Sequence, residues 1–529
     1  MRLLFRLILV ELCVHSFADE DLLVEKYILG TYYPSGDDSS TKSGQAVAAL
    51  GDLDGGGVMD MAVSVPNDGP NDDGAVFLVF LKTQGDWTNY AKFTPSDLGI
   101  PTGDQARLGV ALCRLGDADS DGNVDLAVSS IGAASSSPHP EGAVHVVHLT
   151  SAGAVTRSHT FGGAGFGLEE GDKFGAAVVS MGEWGTADTS TGGGGIESST
   201  DETLGLLVGA PGYNASSGCL VLLPFQATAF HAGNDPNLLL GPHSSLCAGQ
   251  VVGAHNRHHQ SESSAGIPGS GLGVEFGTSL AHVGEGLVLV GAAGEAQQTG
   301  GLWLLNLSTA LLTVPAGNNS SAGNNSSAGT TTATAAAAST GVGGGLNLRL
   351  ASPPIHVDTS GLGLSVGDRF GSSVAVLRSG LTASTSTFDL DRDLSSTLDV
   401  IVGAPNDDAV EYNSGAVYIL ILNWPSPSSS SSSSSSTGGT GSGSFTVRRH
   451  FKLSKITFSH GFDVLGKKDY FGTSVACLGD LNGDGEIEVS IGIPGYSKYA
   501  PNSRGGAWAT MFLNRADFPT AAPTAAPTR

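Results

Sequence analysis

Positive charge is scarce in this chain. Its 529 residues hold 25 Lys plus Arg against 50 Asp plus Glu, a net charge of −25. That balance repels phosphate backbones and anionic lipid surfaces, so nucleic acid is excluded as a partner class. Long apolar runs are missing too. Beyond residue 18 no stretch approaches the roughly 20 residues that cross a bilayer as a helix, and no direct membrane insertion is expected. Cysteine is limited to 5 residues with no CxxC pair, which leaves zinc and dithiol chemistry without support. There is no GxSxG elbow and no P-loop, and the chain is not expected to be an enzyme. His255, His258 and His259 lie among Asn256, Arg257 and Gln260 and read as a solvated loop rather than a transition-metal site.

Glycine is abundant, at 77 residues, and only 14% of the chain is charged, which fits many thin strands joined by tight turns. The most informative segment is Asp117-Ala-Asp119-Ser-Asp121-Gly-Asn123-Val-Asp125. It sets carboxylates at positions 1, 3, 5 and 9, with Asn123 at position 7 placed to offer its backbone carbonyl, a hard-oxygen cage for Ca2+. An EF-hand needs a bidentate Glu at position 12, where Val128 stands, and the residues that follow read as a strand. The segment is therefore a metal-binding β-hairpin. A second cage is Asp480, Asn482, Asp484, Glu486 and Glu488; a third is Asp391, Asp393, Ser395, Thr397 and Asp399, with Ser396 where the others have glycine. The fourth keeps Asp52, Asp54 and Asp60 but has Gly56 at position 5.

These loops sit in a recurring frame. Leading pairs occur at Ser43-Gly44, Leu108-Gly109, Phe174-Gly175, Phe276-Gly277, Phe370-Gly371 and Phe471-Gly472. Closing turns follow at Ser64 (SVP), Ser129 (SSI), Gly209 (GAP), Gly291 (GAA), Gly403 (GAP) and Gly492 (GIP), each before a short polar loop and an apolar strand such as GAVFLVFL from Gly74. Six units are counted. Such self-similarity predicts an all-β fold, a β-propeller of four-stranded antiparallel blades. The last unit runs out of strands at Leu513, so the apolar segment Leu22 to Leu29 is expected to supply its outer strand and close the ring.

Phe-Gly, the acidic loop, Gly-Ala-Pro and Gly-Ala-Val-Tyr occur here together and in order, and the chain resembles the FG-GAP repeats of the integrin α-chain N-terminal propeller. The resemblance implies seven blades, with a degenerate blade then falling within 222 to 275. It implies structural Ca2+ in the hairpins and a role in cell adhesion. An integrin-like heterodimer is disfavoured, because the sequence has no leg domains, span or cytoplasmic tail.

Residues 1 to 18 carry Arg2, Arg6, an apolar run from Leu7 to Val14 and Ser16-Phe17-Ala18, and read as a secretory signal peptide. The propeller is expected over 19 to 514, with low-complexity insertions at 184 to 203, 225 to 270, 316 to 345 and 425 to 444, and a Pro/Thr-rich linker or stalk over 515 to 529. The expected location is secreted or extracellular, with cell-surface association the further option. Export allows a Cys219–Cys247 disulfide and glycosylation at the sequons of Asn214, Asn306, Asn318, Asn319, Asn324 and Asn325. Cys113 and Cys477, on first strands, are expected as buried free thiols.

In a four-stranded blade the 1–2 and 3–4 hairpins emerge at one end and the 2–3 and 4–1 connections at the other. The Ca2+ loops are 1–2 hairpins, which leaves the opposite face for a ligand, with Tyr213, Tyr412, Tyr496 and Tyr499 as its exposed anchors. The expected function is an extracellular Ca2+-binding adhesion or recognition module for a protein or glycan ligand. Two other readings are the accessory propeller of a secreted hydrolase, resembling glycosylphosphatidylinositol-cleaving phospholipase D, and a propeller lectin.

Overall fold

A computed structural model describes residues 8–10, 22–31, 42–69, 71–101, 105–132, 139–183, 203–226, 244–247, 250–252, 273–284, 286–311, 346–377, 397–408, 411–423, 445–454, 465–496 and 506–515. Within them the chain folds as six antiparallel blades built on four strands each, blades 4 and 5 being joined into one nine-stranded sheet where Val357 and Asp358 pair in parallel with Phe445 and Thr446. Blade 1 comprises Val47–Gly51, Asp60–Val65, Ala75–Leu81 and Trp87–Phe93. Blade 2 comprises Leu108–Gly116, Asp125–Ser130, Ala143–Leu149 and Val155–Gly162. Blade 3 is built from Ala177–Glu183, Thr203–Ala210, Cys219–Gln226 and Ser244–Cys247, with Gln250–Val252 added at its edge.

In blade 4, Phe276–Gly284, Leu287–Ala292 and Gly301–Leu311 are followed by a broken outer strand, Leu346–Leu350 and Ile355–Asp358. Pro353 and Pro354 lie at the break, where two missing N–H donors interrupt the ladder. Blade 5 comprises Ser373–Val376, Thr397–Ala404, Ala416–Asn423 and Phe445–Leu453. Blade 6 takes Val475–Gly479, Glu488–Ile493 and Ala507–Arg515 from the C-terminal part and Leu22–Thr31 from the N-terminal part.

The N-terminal strand runs antiparallel along the last one, from Leu22 opposite Arg515 to Thr31 opposite Ala507, as expected. Ile8–Val10, inside the expected signal peptide, pairs in turn with Tyr27–Leu29. The ring closes on six blades and not seven. Each junction, including that of blade 6 with blade 1, has its own apolar cluster. The described strands of the 222 to 275 stretch complete blade 3 instead of forming a blade of their own.

The repeated glycines are explained where neighbouring blades meet. A Cβ on Gly209 would stand 2.1 Å from the carbonyl oxygen of Gly277 in the next blade, and one on Gly492 would stand 1.9 Å from that of Gly44. In blades 3 to 6 the glycine of the closing turn therefore abuts the glycine of the next leading pair, and the two backbones meet directly. In blades 1 and 2 serine takes this place, and its hydroxyl accepts from the facing first strand, at 2.8 Å for Ala46 N on Ser64 and for Ala111 N on Ser129.

Third strands are buried along their full length in blades 1 and 2, since both faces pack on neighbours, whereas the outer strand Trp87–Phe93 is largely exposed. The six first strands line an axial channel of about 400 Å³. Cys113 and Cys477 stand on its wall, neither of them in a disulfide, and their expected burial is met in part: each is half-buried, packed on one side against a blade-junction core and bordering the channel on the other. Cys219 and Cys247 are bonded across paired strands. The insertions 316 to 345 and 425 to 444 lie outside the described residues, as do most of 184 to 203 and 225 to 270 and all of 516 to 529.

Candidate functional site

Three 1–2 hairpins repeat one backbone. Positions 4 and 6 are left-handed in each: Gly55 and Gly57, Ser120 and Gly122, Gly483 and Gly485. That double reversal turns the loop back over its first carboxylate. Asp52 accepts from Gly57 N, Asp117 from Gly122 N and Asp480 from Gly485 N, all at 2.9 Å. The position-5 carboxylate caps the exit, with Asn123 N 2.8 Å from Asp121 and Glu486 N 2.8 Å from Asp484. Glycine at position 6 is what the turn demands. Ser396 occupies that position in the third copy, whose Asp391, Asp393 and Ser395 lie outside the described residues; Thr397 is half-buried and Asp399 buried.

Position 9 begins the second strand of blades 1, 2 and 6, and its carboxylate is buried in all three. It reaches back to the amide of position 2: Leu53 N to Asp60 at 2.8 Å, Ala118 N to Asp125 at 2.8 Å, Leu481 N to Glu488 at 2.5 Å. In blades 1 and 2 the second oxygen also accepts from the end of the third strand, Leu81 N at 3.0 Å and Leu149 N at 3.3 Å. This carboxylate staples the loop to two strands. In blade 6 the longer Glu488 leaves its Oε1 buried without a hydrogen-bond partner.

Burial pushes Asp60 up to about 6 and Glu488 up to about 8, the latter raised further by Asp484 and Asp480. Asp119 is also raised, by burial first and then by Asp125. Its Oδ1 is buried without a partner as well. Three groups of donor atoms converge to within 4.8 Å: Asp117, Asp119 and Asp121; Asp52, Asp54 and Asp60; Asp119, Asp125 and His148. The Asp52 loop, weakest in sequence, gathers its carboxylates, while the described carboxylates of the Asp480 loop do not form such a triple. Hard carboxylate oxygens gathered in this way, exposed at Asp117 and Asp121 and buried at Asp119 and Asp125, fit a Ca2+ ion, and in the fullest loop these four would hold it.

His148, from the third strand of blade 2, comes within 3.0 Å of Asp125 and 3.3 Å of Asp119. The available signal was two histidines, His145 and His148, in a strand that is otherwise apolar where blade 1 has Phe77 and Phe80.

The opposite face only partly follows expectation. Tyr412 is 52% exposed, with Lys467 Nζ 5.5 Å from its ring centroid. Tyr213 is half-buried and packs on the core between blades 2 and 3. Tyr496 is corrected outright: at 1% exposure it belongs to the core between blades 5 and 6. Tyr499 lies outside the described residues. Asp68 and Asp407 are buried too, bonded to lysines of their outer strands, Lys92 at 2.5 Å and Lys452 at 2.7 Å. Each lysine also lies 5.3 Å from an aromatic ring of the third strand, Phe77 or Tyr418.

Sequence reasoning overlooked a turn-capping acid ahead of the leading Phe. Asp172, Asp368 and Asp469 accept from the amide three residues earlier, at 2.8, 2.7 and 2.5 Å. Its signal was the Gly-Asp-Lys/Arg-Phe-Gly string at Gly171 and Gly367. Of the sequons, Asn214 is exposed on a turn and Asn306 is half-buried on a strand, while Asn318, Asn319, Asn324 and Asn325 lie outside the described residues. No helix among the described residues is long and apolar enough to cross a membrane. No protein-family model matches the chain, and no curated protein matches it.

Proposed function

We propose that the chain is an extracellular Ca2+-binding propeller of the FG-GAP type, a recognition or adhesion module for a protein or glycan ligand. The observation that carries this reading is the common backbone of three acidic hairpins, two of which bury a carboxylate oxygen that has no hydrogen-bond partner. A bound Ca2+ supplies the neutralising charge such a loop lacks, and its role here is structural. The loop's own residues do the rest: position 1 holds the turn through backbone amides, and position 9 ties it to the blade. Export rests on the N-terminal Arg2, Arg6 and apolar run. The recognition role rests on the 2–3 loops lying at the other end of the blades from the acidic hairpins.

Calorimetry with Ca2+ on the full chain tests the reading. Extracellular sites of this class bind at roughly 10⁻⁴ to 10⁻³ M. Uptake should reach more than one ion per chain, EDTA should lower the melting temperature, and Asp117→Ala should lower it more than Asp52→Ala. A chain that takes up no Ca2+ and melts alike in Ca2+ and EDTA refutes the metal reading.

A further inference from the structure

The face opposite the metal hairpins has a cavity of about 520 Å³ where blade 4 meets blade 5. Its wall comes from the 2–3 turn of blade 4 at Gln298, the blade 4 to 5 connection at Val366 and Asp368, and the 2–3 loop of blade 5 at Asn406, Asp408, Tyr412 and Asn413. We infer that this cavity is a binding site for a neutral oligosaccharide, stacked on Tyr412 and hydrogen-bonded by Asn406, Asp408 and Asn413. The inference deepens the recognition reading by naming its ligand class.

Three observations lead there. Val366 and Tyr412, 69% and 52% exposed, are the exposed large hydrophobics of the described residues, and both sit on this cavity. A small apolar platform inside polar walls suits the C–H face of a sugar ring. Next, the wall supplies amides from Gln298, Asn406 and Asn413 together with carboxylates. Side-chain amides donate and accept in one plane, which matches neighbouring hydroxyls that also do both.

Charge then narrows the ligand. Asp368, Asp407 and Asp408 outnumber the two cations placed here, Lys452, which already pairs with Asp407 at 2.7 Å, and Lys467, whose Nζ lies 5.5 Å from the Tyr412 ring centroid. An anionic sugar would meet uncompensated carboxylates. The frame is preorganised: Asp408 accepts from Asn413 N at 2.6 Å, Asp368 from Ser365 N at 2.7 Å, and Asp407 from the Tyr418 hydroxyl at 3.0 Å. The Asp407–Lys452 pair recurs as Asp68–Lys92 in blade 1 and is scaffold. What sets this junction apart is the exposed platform.

The test is an array of neutral oligosaccharides with sialylated and sulfated counterparts, probed with the full chain in millimolar Ca2+ and followed by calorimetry on the neutral probe best retained. Neutral probes should be retained over anionic ones. Tyr412→Ala should weaken binding about tenfold, and Tyr412→Phe should stay within about twofold, since stacking needs the ring and not the hydroxyl. Lys82→Gln, in an exposed 3–4 hairpin, should match the parent. Retention of no probe, preference for anionic probes, or Tyr412→Ala equal to the parent overturns the inference. Capture of a protein ligand that Tyr412→Ala leaves unchanged, with no sugar retained, overturns it as well. Ca2+ uptake without sugar retention removes the pocket and leaves the metal hairpins standing; sugar retention without Ca2+ uptake does the opposite.

Discussion

Replacing Glu488 with Gln separates the cost of its buried charge from the benefit of a cation. Glu488 begins the second strand of blade 6, is fully buried, and accepts a 2.5 Å bond from Leu481 N through one oxygen. Burial and the nearby carboxylates push it up to about 8 from 4.5. A carboxyl raised in the folded state stabilises the fold fully below the unfolded value of 4.5, and that contribution is lost as pH rises through 8. At pH 7 without metal the buried charge therefore costs about 2 kcal/mol, screening by solvent at the loop included.

Glutamine keeps an oxygen for Leu481 N and carries no charge. In EDTA at pH 7, Glu488→Gln should therefore raise the urea midpoint above the parent, and at pH 4 the two should coincide. In Ca2+ at ten times its dissociation constant, the parent gains about 1.4 kcal/mol from each site by mass action. The variant should lose most of that gain at this one site. Urea titrations at the two pH values, each in EDTA and in Ca2+, give four midpoints for each protein. A variant less stable than the parent in EDTA at pH 7 refutes the buried-charge reasoning. An unchanged Ca2+ response refutes Glu488 as a ligand.

Two further outcomes follow from other blades. His145 is buried between Ser130 Oγ and Thr160 Oγ1, each 2.8 Å away, and burial pushes it down to about 3 from 6.5. It is neutral when folded and takes a proton when unfolded, so its contribution is complete above pH 6.5 and is lost as pH falls toward 3, roughly 2 kcal/mol by pH 5. His145→Phe, which installs the residue that blade 1 has at Phe77, should flatten the fall in urea midpoint over that window; an unchanged slope would remove His145 as its cause. A chain starting at Ser39 lacks the strand that covers Ala507–Arg515. It should melt lower and aggregate through the uncovered edge. A monomer that melts like the parent would refute that closure.

The repeat was legible because its signals are local. A leading Gly, a closing turn and an apolar third strand each depend on a few adjacent residues, and the loop backbone depends on glycine at position 6 and a short oxygen side chain at position 1. Closure by the segment Leu22 to Leu29 was legible by counting strands, and the pairing runs on to Thr31. Blade number was legible as well, since the six leading Gly pairs counted in the sequence are the six blades whose first strands line the channel. Only the seven blades implied by the family resemblance fail.

Side-chain direction on the ligand face was the blind spot. Tyr412 and Tyr496 both sit in 2–3 loops of Tyr-rich, polar sequence. Tyrosine has an apolar body and a polar tip, so composition assigns neither to core or surface. The difference arises in the chain around them. Tyr496 N bonds to Ile493 O at 3.1 Å and Gly506 N to Tyr496 O at 3.1 Å, which ties that residue to its own hairpin over the blade 5 to 6 core. Tyr412 bonds outward, its carbonyl accepting from Lys468 N at 2.9 Å in the next connection. Its ring is left at the mouth of the blade 4 to 5 cavity. A backbone hydrogen bond to the neighbouring connection, and not the residue type, accompanies the tyrosine that is left exposed.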